Sequence, residues 1–317
     1  MVYVGVDLGG TNIAVGLVDE AGKILHKDSV PTLLERGPEP VIRDMANLSL
    51  KVIKDAGYAL DDVKAIGVGV PGLADPKTGV VIFCTNLRWH MVPLREIMQS
   101  IIDKPVFIDN DATVAGLAES VAGVSAGVAN SVFLTLGTGV GGGIVINHKI
   151  YSGSHGVGSE LGHMTVQCEG RPCTCGSVGC WEQYSSATAL IRQGREAVEG
   201  HPESLIVKMV DGDLSKIEAR TVIDAARQGD PIACEVYDKY IYYLAIGIVA
   251  IINAFDPEII ALGGGVSKTG QFLLDKVNAL LPEMLFYKEM PHARIELARL
   301  SNDAGIIGAA MLGAQEA

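Results

Sequence analysis

The sequence predicts a mixed α/β protein of two lobes, and three observations carry that expectation. The chain opens on three short strand signals, Val2–Asp7, Ile13–Asp19 and Ile24–Val30. They are joined by turns at Gly9-Gly10-Thr11-Asn12 and Glu20-Ala21-Gly22-Lys23, a spacing that makes an antiparallel meander. The layout then restarts: a strand at Ser131–Leu136, a glycine-rich turn at Gly137–Gly143 and a second strand at Gly143–Asn147. Two strand–Gly/Thr turn–strand units in one chain suggest duplicated halves around a cleft. Finally, helical periodicity dominates from Ser185 to Ala254.

The remaining elements follow from local signals. Glu39–Ala56 reads as a helix with Val41, Met45, Leu48, Val52 and Ile53 on one face. A β-branched strand at Ala65–Val70 is closed by Pro71-Gly72, and a helix at Pro93–Ile101 leads to a strand at Val106–Ile108 and a helix at Thr113–Val121. Tyr151–Cys180 is Gly/Cys-rich and irregular, and a strand at Glu258–Leu262 ends in Gly263-Gly264-Gly265. No linker separates the halves. The expected division is a smaller N-terminal lobe, 1–110 plus about 300–317, and a larger lobe, 111–299, carrying the cysteine-rich loop and nucleotide-binding elements.

Composition bounds the function. Of 317 residues 48% are hydrophobic and 20% charged, which rules out a disordered chain. With 25 basic against 37 acidic residues the net charge is −12, a surface that repels nucleic acid and favours a small-molecule partner. The N-terminal segment has no basic region, and Asp7 interrupts its apolar run, so no signal peptide is expected. The apolar run Ile241–Phe255 is shorter than the ~20 residues that span a bilayer and reads as a core helix. No membrane partner is expected, and the location expected is cytoplasmic.

Five constellations can carry chemistry. Asp7-Leu8-Gly9-Gly10-Thr11-Asn12 places backbone N–H groups, two side-chain donors and a carboxylate at one strand end. That suits a Mg²⁺-bound nucleotide, although a plain hairpin with an exposed Asp fits the same residues. In Gly137-Thr138-Gly139-Val140-Gly141-Gly142-Gly143 five glycines cost chain entropy that a phosphate-binding backbone nest would explain. Gly263, Gly264 and Gly265 allow an adenine or ribose to lie against the backbone, or form a tight strand-to-helix turn. The chain has no GxxxxGK[ST]. Asp109-Asn110-Asp111 ends a strand where a helix begins. One such residue suffices as an N-cap, and an Asp there can take a proton from an attacking hydroxyl.

The fifth constellation is His163 with Cys173, Cys175 and Cys180. One imidazole and three thiolates match a closed, structural Zn²⁺ site, with reduced unliganded thiols as the alternative. Glu160 and Glu182 bracket these ligands, either as solvated carboxylates or aimed at sugar hydroxyls by the zinc loop. Cys84 and Cys234 read as core, and Cys168 as a bystander.

The stretch Gly153-Ser154-His155-Gly156-Val157-Gly158-Ser159-Glu160-Leu161-Gly162-His163, running on to Cys173-Thr174-Cys175-Gly176-Ser177-Val178-Gly179-Cys180-Trp181-Glu182, resembles the signature of the ROK sugar kinases, its glucokinases above all. The likeness runs from Asp7-Leu8-Gly9-Gly10-Thr11 to the Gly263 turn. One departure is Ser159, where the family often has Ala. The resemblance implies a two-lobed actin-like ATPase (ribonuclease H-like) fold with a structural zinc loop. It implies that ATP, with Mg²⁺, phosphorylates the C6 hydroxyl of glucose, a step of carbohydrate metabolism. Asp111 would be the general base; Asn110, Asp111, Glu160, His163 and Glu182 would bind the sugar, and His163 would also ligate zinc. Asp7, Gly9, Gly10, Thr11, Asn12, Gly137, Thr138, Gly139 and Gly263–Gly265 would bind the nucleotide. A homodimer or homotetramer is implied. An N-acetylglucosamine or N-acetylmannosamine kinase of the same family is the alternative. A sugar-responsive repressor is not expected, because six residues before Asp7 leave no room for a helix-turn-helix.

Overall fold

A computed structural model describes residues 1–316. In chain order the elements begin with β1 (Val2–Leu8), β2 (Asn12–Asp19), β3 (Ile24–Pro31), α1 (Pro38–Asp55), β4 (Val63–Val70), β5 (Leu73–Asp75), β6 (Val80–Cys84) and β7 (Trp89–Val92). Then come α2 (Leu94–Gln99), β8 (Val106–Asn110), α3 (Asp111–Ala122), β9 (Ser131–Leu136), β10 (Val140–Ile146) and β11 (Lys149–Ile150). The rest are α4 (Glu182–Ser185), α5 (Ala187–Ala197), α6 (Leu205–Lys208), α7 (Ala219–Arg227), α8 (Pro231–Phe255), β12 (Ile259–Gly263), α9 (Gly264–Ser267), α10 (Gln271–Met284), β13 (Arg294–Leu297) and α11 (Ala304–Glu316).

Two five-stranded sheets repeat one order, β3-β2-β1-β4-β8 and β11-β10-β9-β12-β13. In the first, β1–β2 and β2–β3 are antiparallel, while β1–β4 and β4–β8 are parallel. The central strands β1 and β4 are buried almost throughout, as near-continuous apolar runs dictate, whereas the edge strand β3 alternates between half-buried and exposed. The duplicated layout expected from the sequence is thus present in the strand order.

The chain divides into two compact units. The first is Met1–Phe133 with Gly143–Ser159 and Ala298–Ala317; the second is Leu134–Gly142 with Glu160–Leu297. The first unit is larger than the lobe expected from the sequence, and α3 belongs to it. The reason is packing: α3 and α11 lie together on one face of the first sheet, and Val114, Leu117, Ala118, Ile306, Ile307 and Ala310 share a core there. The buried carboxylate of Glu119 on α3 also accepts the N–H groups of Arg299 and Leu300, which ties the returning chain to α3.

The opposite face is covered by α1 and α2. Val41, Ile42, Met45, Val52 and Ile53 of α1 are fully or almost fully buried, each stabilising the fold by about 1.5–3 kcal/mol. Packing at the α11 face is closer still. A Cβ on Gly5 or Gly67 would collide with the carbonyl of Ile306 or Ala309, and one on Gly308 with that of Val114. Backbone lies directly on backbone.

In the second unit α8 is the central helix, with α4, α5, α7 and α10 against it. By length and composition Pro231–Phe255 could span a bilayer, but half of its most apolar window is buried in the protein, as a core helix requires. Its Gly247 has a specific cause: any Cβ there would collide with the indole of Trp181, which is wholly buried.

The structure differs from the sequence expectation in three places. Residues 73–92 form a small three-stranded sheet, β5-β6-β7, to which the sequence reading assigned no strands. Helices α10 and α11 and strand β13 were likewise unassigned. The glycine run 137–143 is not one turn: β10 begins at Val140, so Gly141, Gly142 and Gly143 are strand residues. Gly143 is small because α3 crosses it; its Cβ would lie 2.6 Å from the carbonyl of Ala112 and 3.1 Å from Cα of Gly116.

The contact at Gly67 gives a direct test. Gly67→Ala should lower stability by about 3 kcal/mol or more, because the obstacle is helix backbone and not a side chain that can rotate away. Urea denaturation would measure it; a loss below about 0.5 kcal/mol would contradict the packing described.

Candidate active site

The first unit brings two of the predicted groups together. Asp7 is the penultimate residue of β1, ahead of a turn in which the Gly9 N–H donates to the Asn12 carbonyl at 2.9 Å. Thr32, fully buried, braces this turn: its hydroxyl donates to the Gly9 carbonyl at 2.7 Å and its N–H to that of Thr11 at 2.9 Å. Gly10 is nearly open around its Cα, and Thr11 and Asn12 are exposed. The turn is therefore rigid and accessible, as an anion cradle must be.

Asp7 itself faces inward. A Cβ on Gly305, at the start of α11, would lie 2.5 Å from its carboxylate, so glycine makes room for it. Burial, with the Asp111 carboxylate beside it as the second cause, pushes the Asp7 pKa up from 3.8 to about 6.

Asp109, Asn110 and Asp111 have three different tasks. Asn110 is the N-cap of α3: its Oδ1 accepts from the N–H groups of Ala112 and Thr113, and its Nδ2 donates to the Gly72 carbonyl at 3.0 Å. Asp109 points the other way, is 4% exposed, and accepts from its neighbour's N–H and from the Ser152 hydroxyl. Asp111 is the first helical residue, only partly buried, with Oδ1 accepting from the Ala112 N–H at 2.7 Å. The capping expectation holds for Asn110, and Asp111 is left at the corner as a carboxylate near Asp7.

The second unit holds the cysteine-rich loop. Ligand atoms of His163, Cys173, Cys175 and Cys180 lie within 4.8 Å of one another. Cys175 Sγ is 3.6 Å from Cys180 Sγ, and Cys173 Sγ is 3.8 Å from His163 Nδ1. Tetrahedral Zn²⁺ with bonds of about 2.3 Å to sulfur and about 2.0 Å to nitrogen sets these separations at roughly 3.5–3.8 Å, so the donor set fits the ion. Burial pushes the Cys180 thiol up to about 12, whereas the Ser177 N–H lowers that of Cys175. A bound cation must therefore displace protons, and acid should release it. Cys168 is exposed and outside the cluster, Cys84 is buried, and Cys234 is half-buried.

With Nδ1 of His163 toward the thiols, its Nε2 faces away and lies 3.9 Å from Glu160 Oε2. Both side chains are exposed enough to meet a ligand. Glu182 accepts from the Cys173 thiol at 3.3 Å, and its other oxygen would lie 2.6 Å from a Cβ on Gly139. Glu182 thus connects the cysteine cluster to the Gly137-Thr138-Gly139 turn. That turn is held by the Gly137 N–H to the Gly139 carbonyl and by the Ala187 N–H to the Gly137 carbonyl. Trp181 anchors the whole arrangement between Cys180 and Glu182, with Nε1 donating to the Tyr243 carbonyl at 2.9 Å.

At the third turn, Gly264 has φ +84° and its Cβ would lie 2.6 Å from the Leu136 backbone, while Gly265 faces open space. Gly264 is there for the chain's conformation, and Gly265 leaves a surface against which a flat group can lie. The sequence reading missed Thr32, Ser152 and Gly305 and gave Trp181 no role. Thr32, Ser152 and Gly305 act across more than 20 residues on partners that no local pattern names.

Two expected outcomes follow. Ionising Asp7 in the folded protein costs about 3 kcal/mol, so wild-type stability should fall as pH rises from about 4 to 6. In nucleotide-free thermal melts, Asp7→Asn should be more stable than wild type at pH 8 and equal to it near pH 4. Identical pH slopes for the two proteins would contradict the raised pKa. Second, elemental analysis should find one zinc per chain. Cys175→Ser should lose zinc and weaken sugar affinity together; zinc loss with unchanged affinity would show that the loop does not position the sugar ligands.

Residues 3–316 match the ROK family. The chain is 39% identical to a glucokinase of Thermotoga maritima, over 98% of this chain and 96% of that one. A ROK family glucokinase from Streptomyces griseus, solved in complex with glucose and AMPPNP, superposes with a TM-score of 0.81 at 36% identity, over 99% of this chain and 100% of that one. A ROK hexokinase from Thermus thermophilus gives a TM-score of 0.86 at 33% identity, over 100% and 99%. With its α/β fold of mixed sheets, the chain belongs to the ROK family.

Proposed function

We propose that this protein transfers the γ-phosphoryl group of ATP to the C6 hydroxyl of glucose, giving glucose 6-phosphate and ADP. The observation that carries the reading is the Asn110–Asp111 corner. There a capped helix start presents one carboxylate, near Asp7 and next to a braced glycine turn. The similarity to glucokinases over nearly the full chain supports the same reaction.

In this reading Asp111 accepts the proton of the C6 hydroxyl as that oxygen attacks the γ-phosphorus and the bond to the ADP oxygen breaks. Asp7 would hold the Mg²⁺ that accompanies the nucleotide, an ion that neutralises phosphate charge. The Gly9–Asn12 and Gly137–Gly139 turns offer backbone N–H groups to phosphates, and Gly263–Gly265 offers a flat surface to the nucleoside. Asn110, Glu160, His163 and Glu182 bind sugar hydroxyls. Zn²⁺ on His163, Cys173, Cys175 and Cys180 would hold the loop, leaving His163 Nε2 toward the sugar. The reading includes the two-lobed actin-like class, a cytoplasmic location and assembly as a homodimer or homotetramer.

The test is sugar-dependent ADP release with glucose, mannose, fructose, N-acetylglucosamine and N-acetylmannosamine. Glucose should have the highest kcat/KM. Asp111→Asn keeps the side-chain shape and removes the base, so kcat should fall by about 100-fold or more with sugar affinity within a few-fold. Near-normal turnover by this variant would refute the assignment of the base, and a higher kcat/KM for an acetamido sugar would replace glucose as the substrate.

A further inference from the structure

The segment between Ser152 and Ser159 leads directly into Glu160, yet no sequence motif explains what holds it in place. Its two ends meet: the Gly158 N–H donates to the Ser152 carbonyl at 2.9 Å, and Gly153 and Gly158 touch backbone to backbone. Between them His155 and Val157 are exposed. A cavity of about 470 Å³ lies beside the loop, lined by Asp109, Ser152, Gly153, Ser154, His155 and Gly156 among others. The Gly156 backbone rests on the Ala74 carbonyl, and Lys77 reaches the Ser154 carbonyl only at 3.4 Å. Apolar packing therefore holds little of this loop.

Two hydroxyl bonds do hold it, one half-buried and one buried. Ser152 Oγ donates to Asp109 Oδ2 at 2.8 Å, and Ser159 Oγ pairs with Thr113 Oγ1 at 2.8 Å. Thr113 is 1% and Ser159 6% exposed. Asp109 immediately precedes Asn110, and Thr113 follows Asp111 by two residues. The loop is thus pinned at both ends to the residues flanking the proposed base. Its second pin is the hydroxyl of Ser159, the position where the family resemblance shows a departure.

We infer that Ser152–Asp109 and Ser159–Thr113 form a two-point clamp that makes Ser152 and Ser159 positioning residues for the sugar site, fixing where the chain enters Glu160. This rests on the proposed sugar-kinase reading for its functional half. Its structural half, loop order, stands independently. A buried hydrogen bond in a segment with little other packing decides between conformations, because the alternative leaves a polar group without its partner. Loss of Ser159 Oγ is tolerable for folding, since Thr113 can turn its hydroxyl to the carbonyl of the N-cap residue Asn110, three residues before it.

Full-length Ser152→Ala, Ser159→Ala and the double variant test the clamp in two ways. Hydrogen exchange of the sugar-free protein should show amides of 153–158 opening about fivefold faster in each single variant and more than tenfold faster in the double. In the kinase assay, glucose KM should rise about fivefold per bond and more than tenfold in the double. The KM for ATP should stay within twofold and kcat within threefold. Thr113→Val should reproduce Ser159→Ala and add nothing to it, whereas Thr113→Ser, which keeps the hydroxyl, should behave as wild type. Unchanged exchange in the double variant would overturn the clamp. Faster exchange with unchanged glucose KM, or an equal rise in the KM for ATP, would overturn the positioning role. A wild-type protein that phosphorylates no hexose would refute the kinase reading, and the exchange data would still decide the clamp.

Discussion

The position of the Asn110–Asp111 corner depends on a contact with no side chains in it. Helix α11 lies on β1 and β4 at Gly5 and Gly67, and α3 touches it at Gly308, so three carbonyls stand where Cβ atoms would otherwise be. This close approach brings the start of α11 to the end of β1, where Gly305 leaves room for the Asp7 carboxylate. It also holds α3, and with it the Asn110–Asp111 corner, against the same sheet. Backbone-to-backbone packing has almost no freedom to adapt, because neither partner has a rotamer to change. That stiffness suits a site in which two carboxylates must be held near each other at a cost.

The second unit solves a different problem. Its chain from 160 to 180 has little regular structure and few buried apolar side chains, so hydrophobic packing cannot give it one conformation. Two localised constraints take its place. Four donors converge within 4.8 Å, a set that would close the loop on Zn²⁺, and structural Zn²⁺ in small domains contributes apparent binding energies of about 10–16 kcal/mol near neutral pH. Trp181, buried in the groove that Gly247 leaves on α8, then fixes Cys180 and Glu182 on either side of it. The cluster, Glu182 and the Gly139 turn are thereby one connected piece.

Much of this was legible in the sequence, and the misses have physical causes. The meander, the restart at Ser131 and helices α1, α3 and α8 were readable because each has a strong local period or a turn signal. The His163, Cys173, Cys175 and Cys180 cluster and the Asp109–Asp111 corner were readable because their residue types have few other uses at such spacing. The strands β5, β6 and β7 were not, being three to five residues long and alternating poorly. The α11 helix was missed because its small residues, suited to lying on glycine, give no amphipathic stripe. The glycine run 137–143 misled for a related reason. Glycine signals close backbone approach as readily as it signals a ligand turn, and at Gly143 the approaching group is α3.

That ambiguity sharpens what the Asp7 environment means. A carboxyl at the end of a buried strand, with a second carboxylate beside it and a pKa pushed to about 6, is a poor choice for stability alone. A neutral amide of nearly the same size would avoid that cost of ionisation. A carboxyl pair perturbed in this way is a mark of functional sites, where a visiting positive charge repays the ionisation. The hydrogen bonds of Thr32 to the adjacent turn and the N-cap of Asn110 point the same way, since both stiffen backbone that stays open to solvent. Rigidity around an exposed turn contributes little to a core. It lowers the entropy lost when a ligand arrives, so in the proposed kinase the unfavourable Asp7 and the braced turn beside it would act as two parts of one binding device.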